Sequence, residues 1–409
     1  MTEIPVARPR SEPGFAEFVA MMALLMALTA LSIDVMLPAL PYMRAELAVA
    51  DPNSQQLVIV SYVVGFAAGQ LFQGPLSDIF GRKPVLLIGL AVYALASFAC
   101  VVAGSFETLL AARLVQGLAN AAPRVVAVAV VRDLYGGRRM AEVMSFIMMV
   151  FIVVPVIAPT VGSAFLLVGS WHLIFVALCV ITLVALVWTS LRLPETRPPE
   201  ARDPLSLAWL GAAFRQVVST RLTLGYTLAT GAIFGALIGY INSAQQVFVE
   251  VYGLGALFPV VFGLVACAIA LASFLNSRLV MRLGMRKISH AALLGFVGVS
   301  LVHLLVEALF GQPPLPVFLL MLALALFCFG LLMPNFNAIA MEPMGRVAGT
   351  ASSFVGCITT AVAAVLGFVI GHYFDGTVVP LVAGFAGCGL LALLVVLVTE
   401  RGRLFGQGV

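Results

Sequence analysis

Charge is what this chain most lacks. Of its 409 residues only 10% are Asp, Glu, Lys or Arg, where a soluble globular domain carries about a quarter. With 62% hydrophobic residues and a mean hydropathy of +1.12, a water-soluble fold is excluded. Cysteine is sparse as well. Cys100, Cys179, Cys267, Cys328, Cys357 and Cys388 all fall inside apolar runs with no Cys-x-x-Cys pair, so neither a disulfide framework nor a zinc site is supported. There is no His-Glu-x-x-His, no Gly-x-Ser-x-Gly, no phosphate-binding loop and no second intramembrane Asp to form a dyad, so an enzyme is not expected. No cofactor is expected either, beyond an ion gradient. The net charge of +4 gives no reason to expect a nucleic acid partner.

What the chain has is length of apolar run. Continuous stretches of about 20 residues without apolar/polar alternation read as helices crossing a bilayer, not as strands of a barrel. Twelve spans are predicted, at 17–40, 55–75, 84–104, 106–131, 141–167, 171–191, 222–246, 257–277, 288–309, 315–338, 347–371 and 378–399. Nineteen of the 22 Lys and Arg residues fall on one side if the N-terminus and the even-numbered loops lie together. The exceptions are Arg44, Arg113 and Arg124. Positive-inside bias then places both termini in the cytoplasm. The polar first 16 residues lead into a retained first helix and not into a cleaved signal peptide.

Connections are short except at 193–220, which opens Leu-Pro-Glu-Thr-Arg-Pro-Pro-Glu and shows little hydrophobic periodicity. It divides the chain into an N-terminal six-helix half, 1–192, and a C-terminal half, 221–409. A faint repeat supports the division. Gly81-Arg82-Lys83 follows span two, and Gly284-Met285-Arg286-Lys287 follows span eight, half a chain later. Two such halves place a substrate site at the midplane between them.

Polar residues inside the spans are few and costly. In span four, Arg113 and Arg124 are eleven positions apart, which returns to within about 20° on a helix, and Gln116, Gly117 and Asn120 share that side. Span one holds Asp34, which reads as the one carboxylate clearly inside an apolar run, at a depth matching Arg113. Three such ionisable groups cost on the order of 8–10 kcal/mol unless paired or hydrated. A structural Asp34–Arg113 pair is one explanation; one acid facing two bases, however, leaves a spare cation. Burial and a neighbouring guanidinium act on a carboxyl's proton affinity in opposite senses, so a change in their separation would change protonation between conformations.

Other stretches carry two readings each. Gly74-Pro-Leu-Ser-Asp78-Ile-Phe-Gly81-Arg82-Lys83 combines a close-packing glycine, an anion suited to a helix N-terminus and a tight turn; the alternative is a solvated basic loop. Pro155 and Pro159 followed by Gly162 predict a kinked span five with a smooth face, or packing alone. Tyr240, Asn242, Gln245 and Gln246 near the end of span seven, with Asn335 in span ten, line water or a ligand, or else tie helices together.

Taken together these residues resemble the major facilitator superfamily, and within it the drug:proton antiporters of the bicyclomycin-resistance (Bcr/CflA) branch. The Gly74–Lys83 stretch, Arg113-Leu-Val-Gln116-Gly117, and Ser32-Ile-Asp34-Val-Met-Leu-Pro38-Ala-Leu-Pro41 match its signatures, as does Ala348-Gly-Thr-Ala-Ser352. In span five, Ala158 before Pro159 and Ser163 after Gly162 depart from the antiporter pattern, and the second half has no acid matching Asp78. The resemblance implies an all-α, twelve-helix transporter working by alternating access, with Asp34 as proton carrier and Arg113 as its partner. It also implies that Asp78 meets the N-terminus of span eleven as part of a conformational gate with Gly74, Gly81, Arg82 and Lys83.

The expected activity is export of small amphipathic molecules across the bacterial inner membrane in exchange for protons, by a monomer in the lipid bilayer. Gln116, Asn120, Arg124, Tyr240, Asn242, Gln245, Gln246 and Asn335 would line the cavity. The alternative is a proton-coupled transporter of one physiological metabolite, in either direction.

Overall fold

The computed structural model describes residues 13–201 and 207–406, all in helices and short connections. The expected basic residues Arg8, Arg10 and Arg202 lie outside the described residues. The helices are α1 (Phe15–Asp34), α2 (Leu40–Glu46), α3 (Leu57–Phe80), α4 (Arg82–Val101), α5 (Phe106–Leu134), α6 (Gly137–Val168) and α7 (His172–Arg192) in the first half. In the second half they are α9 (Arg221–Gln245), α10 (Phe258–Leu283), α11 (Met285–Phe310), α12 (Leu315–Met341), α13 (Ala348–His372) and α14 (Val379–Thr399), with α8 (Leu207–Ser219) between. Eleven helices among the described residues are long and apolar enough to cross a membrane. At 32 residues α6 supplies the twelfth by length.

The surface is apolar where a soluble protein's would be polar. Leu95, Leu264, Leu309 and Val398 are exposed, while Arg113, Gln116, Asn120 and Gln246 are buried. That inversion follows from a solvent of hydrocarbon, in which backbone groups must be satisfied within each helix and polar side chains within the bundle.

The halves repeat one packing plan. α1 packs on α6 as α9 does on α13, α3 on α5 as α10 on α12, and α4 on α7 as α11 on α14. Where α3 crosses α5 the backbones touch, and a β-carbon on Gly65 or Gly117 would overlap the carbonyl of Leu114 or Tyr62. The halves meet mainly through α3 with α13 and α6 with α10. The face on which α1 starts and α14 ends is called near, and the opposite one far.

Two stretches differ from the sequence reading in ways that matter. Span one runs through residue 40 but is broken within its length, because α1 stops at Asp34 and a short 3-10 turn at Leu37–Ala39 precedes α2. Pro38 and Pro41 each lack an N–H and cannot continue the ladder. The segment 193–220 is not wholly irregular, since α8 occupies its second part and packs Ala213 and Val217 against Ala351, Phe354 and Val355 of α13.

The half-repeat has a structural meaning at the near face. Arg82 opens α4 after Gly81, whose φ of 101° makes the turn possible, and its guanidinium meets Asp78 at 2.7 Å and Asp133 at 2.9 Å. Glu195, just beyond α7, accepts from the free backbone N–H groups of Arg82 (2.9 Å) and Lys83 (3.2 Å). In the second half Arg286 meets Glu400 at 3.3 Å and Glu342 at 3.5 Å, at the ends of α14 and α12. The missing match to Asp78 is thus offset, in the second half, by acids from the helix ends that correspond to Asp133 and Glu195.

Candidate functional site

The polar stripe of α5 points into the first half. Arg113 donates from Nε to the carbonyl of Val58 (3.0 Å), from one terminal nitrogen to the carbonyl of Ser32 (3.0 Å) and from the other to Gln116 Oε1. Its guanidinium also lies 4.5 Å from the Tyr62 ring centroid and 5.9 Å from that of Phe175. Gln116 passes the network to Ser97 Oγ at 2.7 Å, and Asn120 donates to Tyr62 Oη and Thr29 Oγ1. These contacts draw α1, α3, α4 and α5 together.

Two expectations are corrected here. The Asp34–Arg113 ion pair is not formed in this conformation, because carbonyls, an amide and ring faces already occupy the guanidinium. Gln116 and Asn120, expected on a cavity wall, are fully buried within the network. Arg124, one turn beyond Asn120, is half-buried.

Asp34 stands apart. It is 4% exposed at the broken end of α1, and among the described residues no hydrogen bond or ion pair reaches its carboxyl. Across the seam between the halves, α9 packs on the short turn that follows Asp34, and it carries Tyr240. The Tyr240 ring stacks on Phe262 of α10 at 5.4 Å, and its hydroxyl is buried without a partner. α6 braces the same place. Its helix runs through Pro155 and Pro159, and a β-carbon on Gly162 would overlap the carbonyl of Val35. Val156, on the turn after the first proline, in turn packs against Gly263 of α10.

Of the remaining amides, Asn242, Asn335 and Gln246 tie helices together in this conformation. Asn242 donates to the carbonyl of Gly367 (3.0 Å), and Asn335 to Asn276 Oδ1 (2.6 Å), a partner the sequence reading missed. Gln245 is buried with an unpartnered carbonyl oxygen. Gln246 belongs to a far-face lock also missed from sequence. Gln56 donates to Gln246 Oε1 (2.9 Å) and the carbonyl of Gly371 (2.8 Å), Gln246 donates to Asn53 Oδ1 (2.9 Å), and Asn53 donates to the carbonyls of His372 (2.9 Å) and Phe374 (2.8 Å). The only signal was the Asn-Ser-Gln-Gln run at 53–56, which reads as loop.

At the near face Gly74 packs on Ser353 of α13. Asp78 is held by Arg82 and, at 3.1 Å, by Arg197. Its expected contact with the start of α13 falls where the side chains of 346–348 lie outside the described residues. Glu307, within α11 and 8% exposed, is a second buried carboxyl, where the sequence suggested Asp34 as the one clear case.

This geometry, helices paired twice over around a seam carrying Asp34, agrees with the family comparisons. The profile of the Major Facilitator Superfamily matches residues 22–368. The chain belongs to that superfamily. It is 31% identical to a bicyclomycin resistance protein homolog of Haemophilus influenzae over 92% of this chain and 94% of that one. Over about half of each chain (54% and 55%) it is 30% identical to the multidrug resistance protein MdtL of Escherichia coli. Among solved structures, a D-xylose–proton symporter superposes with a TM-score of 0.75 at 13% identity, covering 95% of this chain and 99% of that one, which shows the fold alone. This superfamily member is therefore a transporter and not an enzyme, a multi-pass protein of the bacterial inner membrane.

Proposed function

We propose that this superfamily member exports small amphipathic molecules in exchange for protons, by alternating exposure of a site between its two six-helix halves, with the near face toward the cytoplasm. The observation that carries the reading is Asp34. It is buried where α1 breaks, and among the described residues no hydrogen bond or ion pair reaches its carboxyl, so its charge can change without breaking an existing contact; the turn that follows it packs on α9 of the opposite half. The names of the relatives support drugs as substrates, and the lock formed by Asn53, Gln56 and Gln246 supports a cycle in which the far face opens and closes.

Arg113 then acts by positioning the end of α1. Asp34 receives a proton from the far side as substrate leaves, and Arg124 adds a cation that favours substrates with an anionic or strongly accepting group.

The test uses everted membrane vesicles and cells lacking their own pumps, challenged with a panel of amphipathic antibiotics. The parent chain is expected to raise resistance and to release protons from vesicles when substrate is added, and Asp34→Asn to abolish both. Substrate-driven proton release that survives in Asp34→Asn overturns the reading. Proton movement with a single metabolite and none of the drugs would indicate a dedicated transporter.

A further inference from the structure

One face of α11 carries three buried polar side chains that no protein atom satisfies. Ser300, His303 and Glu307 are 2%, 5% and 8% exposed, and Ser300 Oγ, His303 Nε2 and Glu307 Oε2 are each without a hydrogen-bond partner. Their spacing of three and four residues brings them to within about 60° of one another on the helix. Each forfeits bonds it makes in water, and buried polar groups are rarely left so, which points to an occupant.

Space for one is present. Ser300 and His303 open onto a small cavity of about 10 Å³, room for about one water, between α11, α12 and α14, walled by Phe318, Leu322, Leu381 and Phe385. The cavity lies inside the C-terminal half, away from the seam that holds Asp34. Its lining is apolar except at Ser300 and His303, which give one water the two polar partners it needs. Glu307 stands one turn beyond His303, three residues from the far-face end of α11 at Phe310.

The surroundings supply no counter-charge. α12 and α14 present apolar side chains to the cavity, and the His303 ring meets Phe318 edge-on at 5.4 Å. A titratable neighbour is Tyr252, beyond the end of α9, whose ring packs on Phe318 at 5.1 Å and whose hydroxyl is committed to the carbonyl of Pro313 at 3.0 Å.

We propose that Glu307 and His303, with water held against Ser300, form a second proton-binding site in the C-terminal half, supplied from the far face and separate from Asp34. A proton from far-face water converts the Glu307 carboxylate to the acid. Its O–H then donates to a water that in turn donates to His303 Nε2, so each orphaned atom gains a partner. The consequence, more than one proton per cycle, rests on the reading of proton-driven exchange; the site itself does not.

The experiment is an infrared pH titration of Asp34→Asn protein in liposomes, in H₂O and D₂O. A carboxylic acid C=O band is expected to persist in Asp34→Asn, to shift in D₂O, to vanish when Glu307→Gln is added, and to move its midpoint by about tenfold in proton concentration with His303→Gln. Glu307→Asp keeps an acid and retains a displaced band, which separates loss of the group from loss of the fold. Absence of the band in Asp34→Asn, or its indifference to Glu307→Gln or His303→Gln, overturns the proposal. If the Asp34→Asn chain still exchanges drug for protons, the functional reading fails while the band remains to be read.

Discussion

Gln56 ties the far ends of the two halves together. It is fully buried and gives two hydrogen bonds to the opposite half, one to Gln246 and one to the backbone of Gly371. Gln56→Leu keeps most of the volume but removes both donors, stranding two acceptors in the closed state that water reaches once the face opens. At about 0.5–1.5 kcal/mol per bond the closed state loses roughly 1–3 kcal/mol relative to the open one. Each 1.4 kcal/mol is tenfold, so the population ratio shifts by about 5- to 150-fold toward the open form. Spin labels on Leu167→Cys and Phe310→Cys, exposed residues at the far ends of α6 and α11, report the separation of the halves in a background lacking the native cysteines. A longer-distance population should grow in Gln56→Leu, and in Gly371→Ala, whose β-carbon would overlap Gln56 Oε1. An unchanged distance distribution in both variants would refute the lock.

Further expectations concern the near face, the amide pair and the cavity cation. Arg82→Met leaves Asp78 and Asp133 facing each other around a buried position; it should cost about 3–5 kcal/mol and lower the melting temperature in detergent. An unaltered melt would contradict that. Asn276→Leu or Asn335→Leu alone should destabilise by about 0.6–1.7 kcal/mol, and the double variant should recover much of it, as a thermal double-mutant cycle reads; strict additivity would show that the two amides do not depend on each other. Arg124→Ala should remove the preference for substrates with anionic or accepting groups in a resistance panel, and an unchanged preference discards that role.

The spans were legible because a bilayer demands about 20 apolar residues in a row and this chain supplies them with little else. The half-repeat was legible for a related reason, since Arg82 and Arg286 each open a helix that meets acids from two other helix ends. What escaped was every choice of partner. Asn335 and Gln246 have the polarity of cavity residues, and composition cannot distinguish an amide that faces a ligand from one that meets Asn276 or Asn53 across a helix contact. The helix α8 escaped because its apolar residues follow a run of prolines and charges, and only the exposed surface of α13 gives them something to cover. Glu307 escaped because position along a span says nothing about whether an oxygen is turned inward.

Arg113 and Asp34 show why partner choice decides mechanism. A permanent cation near a lone acid invites a direct pair, yet Arg113 has given its donors to neutral groups, two of them backbone carbonyls. One of those, from Ser32, belongs to the last turn of α1, two residues before Asp34. The other, from Val58, belongs to the first turn of α3, the helix whose approach carries Gln56 and the far-face lock. The guanidinium therefore fastens the end bearing the acid to the start of the helix that closes the far face. For Arg113 to pair with Asp34 it would have to release at least one of these carbonyls, and release of Ser32, in the last turn of α1, leaves a helix-end carbonyl unsatisfied in hydrocarbon unless water has entered. On the proposed cycle, charge on Asp34 and water access at the seam are thus linked through a single side chain, which joins the end of α1 to the start of α3.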